Sequence, residues 1–106
     1  EALFNGIVLS EKSLGLGFTP AKLNDGSDAS FRGANYGLGW FLYPNNKIEE
    51  ISHGGGLPGF HTYLGRFPEE KVTIIILSNS MIIEEMSYIT SSITSIILKK
   101  ENSYND

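Results

Sequence analysis

The sequence predicts an α+β fold: an antiparallel β-sheet meander with a C-terminal helix packed on it. Over 36–79, short apolar stretches alternate with turn chemistry such as Pro44-Asn45-Asn46-Lys47 and Pro68-Glu69-Glu70-Lys71, the punctuation of strands joined by tight reversals. Val72-Thr73-Ile74-Ile75-Ile76-Leu77-Ser78 is a continuous apolar run, which reads as a central strand covered on both faces. After Asn79 and Ser80, the residues Ile82, Ile83, Met86, Ile89, Ile93, Ile96 and Ile97 fall three and four apart, on one face of a helix.

Each element has its local reason. Residues 2–9 favour a helical turn or two, stopped by Gly6, and Ser10 offers a cap for a second short helix that Gly15, Gly17 and Pro20 break. The short helices thus occupy 1–20. Asn24, Asp25, Gly26, Ser27, Asp28 and Gly33 make 21–35 a turn-rich loop. Tyr36, Leu38 and Trp40 alternate with Gly37 and Gly39, so a strand is expected with one large face and one bare face that something approaches closely. A second strand covers 48–53 and the glycine-rich 54–59 a loop. The third runs over 60–67 and the fourth over 72–78. The helix spans 81–99, with Glu84 and Glu85 near its start and Lys99 and Lys100 near its end, as its dipole prefers. The tail beyond it is polar, with too little apolar surface to pack.

Composition bounds the function. With 106 residues, 41% of them hydrophobic, the chain can build one small core, and a single unit over 1–106 is expected. A net charge of -4 and scattered lysines argue against a nucleic-acid partner. Absence of cysteine excludes a disulfide framework and thiolate metal ligation. The longest apolar run falls far short of the roughly 20 residues that span a bilayer, so no transmembrane segment is expected. Because Glu1-Ala2-Leu3-Phe4 reads like the interior of a helix already under way, the chain is expected to be a piece of something longer.

The residues best suited to chemistry are His53-Gly54-Gly55-Gly56-Leu57-Pro58-Gly59-Phe60-His61. A histidine at a strand end can present a ring donor to a carboxylate or carbonyl near neutral pH. Glycines beside it let main-chain N–H groups reach a ligand where a β-carbon would stand in the way. A metal pair of His53 and His61 lacks an evident third ligand, and Gly37-x-Gly39 sits within a strand rather than before a helix, so neither metal nor cofactor is expected.

Tyr36-Gly37-Leu38-Gly39-Trp40, then His53-Gly54-Gly55-Gly56-Leu57-Pro58-Gly59-Phe60, then Val72-Thr73-Ile74-Ile75-Ile76-Leu77-Ser78-Asn79 resemble the closing third of the serine β-lactamase and penicillin-binding-protein-like family. That family includes class C β-lactamases, esterases and D-aminopeptidases. The segments Ala2-Leu3-Phe4-Asn5-Gly6, Leu9-Ser10 and Phe18-Thr19-Pro20 extend the similarity over nearly the whole chain. The resemblance implies a partial β-lactamase/transpeptidase-like fold whose active site lies between the sheet's edge and a mainly helical region. It implies that His53-Gly54-Gly55 is the Lys-Thr-Gly or His-x-Gly triplet, with His53, Gly55 and Gly56 catalytic and His53, Gly54 and Gly56 contacting substrate. Gly56 then supplies one of two oxyanion-hole N–H donors, a contribution of about 3 kcal/mol in such sites.

Two motifs of that family are missing. No serine here has a lysine three residues on, so the Ser-x-x-Lys nucleophile is absent. Tyr43-Pro44-Asn45 matches Tyr-x-Asn in letters only, because it falls in an expected hairpin turn. Two readings follow: a C-terminal fragment of a serine hydrolase acting on an amide, ester, D-amino-acid peptide or β-lactam, inactive in isolation, or a non-catalytic relative that binds peptides or cell-wall ligands. A third, a free-standing interaction domain, fits less well, since a half-covered sheet invites self-association of the fragment. An extracytoplasmic or cell-envelope location is implied by the resemblance alone.

Overall fold

Ser10 starts the first helix, α1 (Glu11–Gly17), by accepting a hydrogen bond from the Ser13 N–H at 3.2 Å. The computed structural model describes residues 1–44, 48–80 and 83–98. Expected features at Asn45, Asn46, Lys47, Ile82, Lys99, Lys100 and the polar tail lie outside the described residues. The helix passes through Gly15 and ends at Gly17, where the Phe18 N–H bonds the Leu14 carbonyl. Ser10→Ala should cost about 1 kcal/mol of stability, as lost N-caps do, and thermal melting of the variant would measure it. Upstream, residues 2–6 form turns rather than a helix.

The strands are β1 (Ser30–Phe31), β2 (Ala34–Tyr36), β3 (Phe41–Tyr43), β4 (Glu50–Leu57), β5 (Phe60–Phe67) and β6 (Val72–Ser78), followed by the helix α2 (Ile83–Ile97). β1, β2, β3 and the first half of β4 pair in chain order in one stretch of the chain, and β5 pairs with β6 in another. Where pairing is resolved it is antiparallel, as a meander requires. The architecture is α+β. The chain divides into two compact units, Glu1–His53 and Gly54–Asp106, where composition predicts a single unit, and β4 runs from one into the other.

In the first unit the segment expected as a loop over 21–35 is a pinned hairpin. Ala21 N–H donates to Tyr36 O at 2.8 Å, Ala29 N–H to Ala21 O at 2.7 Å, and Leu23 N–H to Ser27 O at 2.8 Å. Asp25 accepts from the hydroxyl and N–H of Ser27, which holds its carboxyl below the usual range. Polar turn residues hid this pairing because backbone bonds need no apolar side chains, and both residues of β1 are exposed. The expected strand over 36–40 is also different: β2 ends at Tyr36, and the chain reverses through Gly39 (φ 80) into β3. Leu38 is left exposed, while Trp40 turns to Phe18 and Phe4, with ring centroids 5.9 and 6.4 Å away. Ala34, Leu42 and Ile51 are the buried apolar residues here.

In the second unit β5 and β6 pair along their length, from His61 opposite Ser78 to Phe67 opposite Val72, and α2 packs on β5. Phe67, Ile74 and Met86 are buried. The expected loop over 54–59 is instead strand as far as Leu57, with the reversal at Pro58 and Gly59. The reading of β6 as a central strand is also corrected. It stands last in the sheet order, and Ile75 and Leu77 are 65% and 78% exposed while Ile74 on the other face is buried. A β-branched run favours extended backbone whether or not both faces are covered. Of the apolar stripe on α2, Met86 is buried, while Ile89, Ile96 and Ile97 remain exposed.

Candidate functional site

Strand β4 carries the four residues singled out by the sequence, and the chain itself keeps them together. Its first half is fixed by β3, with Phe41 opposite Ser52, Leu42 opposite Ile51 and Tyr43 opposite Glu50. Burial of Ile51 and Ser52 anchors that half. His53 follows directly and is half-buried. Its Nε2 lies 3.1 Å from the Tyr36 hydroxyl, and its ring is 5.3 Å from that of Phe41 and 6.0 Å from that of Tyr36. Tyr36 and Phe41 are themselves cross-strand partners with rings 4.8 Å apart. The imidazole is therefore held by two aromatic rings and one hydroxyl, within the first unit.

Gly54, Gly55 and Gly56 continue β4 in the second unit, and all three are exposed. Gly55 O accepts a hydrogen bond from Thr62 Oγ1 at 3.3 Å. A β-carbon on Gly55 would meet that oxygen at 2.9 Å, so a larger residue would displace Thr62. Beside Gly56 stands His61, whose Cδ2 would lie 3.8 Å from a β-carbon there. The His61 Nδ1 is buried and has no hydrogen-bond partner among the described residues. Extended backbone fixes the directions of the glycine N–H and C=O groups, which a loop would leave free.

Among the described residues no group of three His, Cys, Asp or Glu side chains is placed to hold a metal ion. Among the described residues no helix is long and apolar enough to cross a membrane. Tyr43 closes β3, and burial together with the nearby Glu50 carboxylate pushes its phenol above the ordinary value. A general base must lose its proton near the working pH, so this environment opposes such a role for Tyr43. Sequence reasoning missed Tyr36 and Phe41 as neighbours of His53. Tyr36 and Phe41 stand five residues apart on either side of a reversal, and their meeting at His53 is legible only once the register of β2, β3 and β4 is known.

The comparisons agree with this architecture. The family model described as Beta-lactamase matches residues 2–91, and the chain belongs to the Beta-lactamase family. Among its relatives is a penicillin-binding protein of Bacillus subtilis (strain 168), 35% identical over 80 residues, a match covering 74% of this chain and 17% of that protein. A solved octameric penicillin-binding protein homologue from Pyrococcus abyssi has the same fold, with a TM-score of 0.76 at 24% identity over 97% of this chain and 23% of that one. The chain thus spans about a fifth of the length of the relatives it matches.

Proposed function

We propose that these 106 residues are the C-terminal part of a β-lactamase-like serine hydrolase. The part supplies the His-x-Gly strand and an oxyanion-hole N–H, and the nucleophile comes from elsewhere in a longer protein. The observation that carries this reading is the hydroxyl- and aromatic-held imidazole of His53 next to three exposed glycines on one strand. Family membership supports it. In the proposed reaction a serine oxygen attacks the acyl carbon of an amide, ester, D-amino-acid peptide or β-lactam. The amine or alcohol leaves, and water then cleaves the acyl-enzyme ester. His53 offers an N–H or a positive charge to a substrate carboxylate or to the charge developing on the acyl oxygen, and Gly56 N–H serves that oxygen.

The test is covalent labelling of a protein extended upstream to include a Ser-x-x-Lys segment, using a fluorescent penicillin and a fluorophosphonate. Labelling at that serine supports the proposal, with the 106-residue chain alone unlabelled. A folded extended protein that takes neither reagent would replace the enzyme by a non-catalytic peptide- or cell-wall-binding relative.

Self-association of the isolated chain belongs to the same proposal. Its support is β6, last in the sheet order with Ile75 and Leu77 exposed, and the octameric state of the solved homologue. An unpaired strand edge with apolar side chains favours a second copy. Light scattering should give a mass above the 11.7 kDa of one chain, and Leu77→Lys should lower it. A strictly monomeric, folded wild type would reject association.

A further inference from the structure

Tyr36 lies outside the His-x-Gly triplet, yet its hydroxyl is 3.1 Å from His53 Nε2, within ordinary hydrogen-bond range. Its placement is unusually well determined. Tyr36 N–H donates to Ala29 O at 2.9 Å and Tyr36 O accepts from Ala21 N–H at 2.8 Å, so the hairpin over 21–29 fixes the backbone from which the ring projects. Phe41, opposite Tyr36 in the register, packs edge-on against the phenol at 4.8 Å and lies tilted at 5.3 Å from the imidazole. Neither ring can swing without disturbing the other. Two groups share the contact. Either the phenol donates to an unprotonated Nε2, or a protonated Nε2 donates to the phenol oxygen. For a neutral imidazole the first arrangement wins, because its bare ring nitrogen is far more basic than a phenol oxygen.

We propose that Tyr36 is a positioning residue for His53: its O–H donates to Nε2 and holds the neutral imidazole in the Nδ1–H tautomer, so that Nδ1 carries the ring's donor. The hydrogen bond at one ring nitrogen sets the proton at the other. This assignment rests on the catalytic reading of His53 for its functional consequence, while its structural content stands independently. The proton of the neutral ring then has one fixed place, and none has to migrate between nitrogens before substrate binds.

The test has a spectroscopic arm and a kinetic arm. Long-range proton–nitrogen correlation spectra of the full 106-residue chain resolve both imidazoles, since there are two histidines and His61→Gln assigns them. In alkaline buffer, where imidazoles are neutral, His53 should show a protonated Nδ1 and a bare Nε2. In Tyr36→Phe, which keeps the aromatic packing and removes one oxygen, the balance should shift toward protonated Nε2. A wild-type His53 protonated at Nε2 overturns the proposal even if the variant fails to fold, and so does a folded variant with an unchanged spectrum. In the extended protein, Tyr36→Phe should lower kcat/KM about tenfold, the scale of one lost hydrogen bond to a working group. It should add nothing in a His53→Ala background, and additive losses there would overturn the coupling. If the extended protein proves inactive, the hydrolase reading fails and the spectra alone decide the role of Tyr36.

Discussion

Replacing His53 with alanine in the extended protein should lower the rate of covalent labelling about a hundredfold, the scale on which loss of one preorganised donor slows acyl transfer. The expectation follows from how firmly the imidazole is held. Phe41 and Tyr36 flank it, and the Tyr36 hydroxyl lies 3.1 Å from Nε2, so on the proposed reading the ring is in place before substrate arrives and needs little reorganisation during the reaction. Alanine removes the imidazole, whether it would act through an N–H or a positive charge, and leaves the Tyr36 hydroxyl without its ring partner. His53→Lys separates the roles. Lysine keeps a cationic donor, as relatives with Lys-Thr-Gly do under the resemblance, and should retain labelling within about tenfold of wild type, since it is a point charge that lacks the ring's fixed direction. Stopped-flow labelling rates, with circular dichroism to establish that each variant is folded, measure the effect. A folded His53→Ala protein that labels at the wild-type rate removes His53 from the chemistry.

What the sequence could disclose of this arrangement was governed by distance along the chain. His53-Gly54-Gly55-Gly56 is legible because its members are consecutive, and β5 and β6 have the expected bounds because Gly59 and Pro68-Glu69-Glu70-Lys71 end them by local chemistry. Tyr36 is 17 residues from His53, and only the pairing of β2 with β3 and of β3 with β4 brings it there. Register is a property of pairs of strands. The same limit explains the readings that changed. Ile74-Ile75-Ile76-Leu77 favours extended backbone by its branching, but whether a face is covered depends on neighbours, and Ile75 and Leu77 face solvent. Asn24, Asp25, Gly26 and Ser27 do form a turn, yet the bonds beside it, Ala29 to Ala21 and Tyr36 to Ala29, come from main-chain groups that every sequence carries.

Gly37→Ala should be the most damaging small substitution in the first unit, costing about 3 kcal/mol and lowering the melting temperature by about 15 °C. The sequence predicted that something approaches the bare side of this glycine, and the structure identifies it. A β-carbon at Gly37 would collide with the Gly17 carbonyl oxygen and sit 3.2 Å from Thr19 O. Both obstacles are backbone, so no rotamer change relieves them. Relief requires moving the end of α1, and that movement threatens two further interactions. The Leu38 N–H bond to Gly17 O at 3.0 Å would be lost, and Phe18, next to Gly17 in sequence, would be drawn away from Phe4 and Trp40, whose ring centroids lie 5.5 and 5.9 Å from its own. The cost therefore combines overlap, an orphaned main-chain donor and loosened aromatic packing. Gly15→Ala is the matched control. Gly15 lies in α1 with nothing within 4 Å of an added β-carbon, so the same methyl there should be neutral or stabilising through helix propensity. Differential scanning calorimetry of the two variants decides it: equal melting temperatures would mean that the close approach of Gly17 to Gly37 does not hold the turn between β2 and β3.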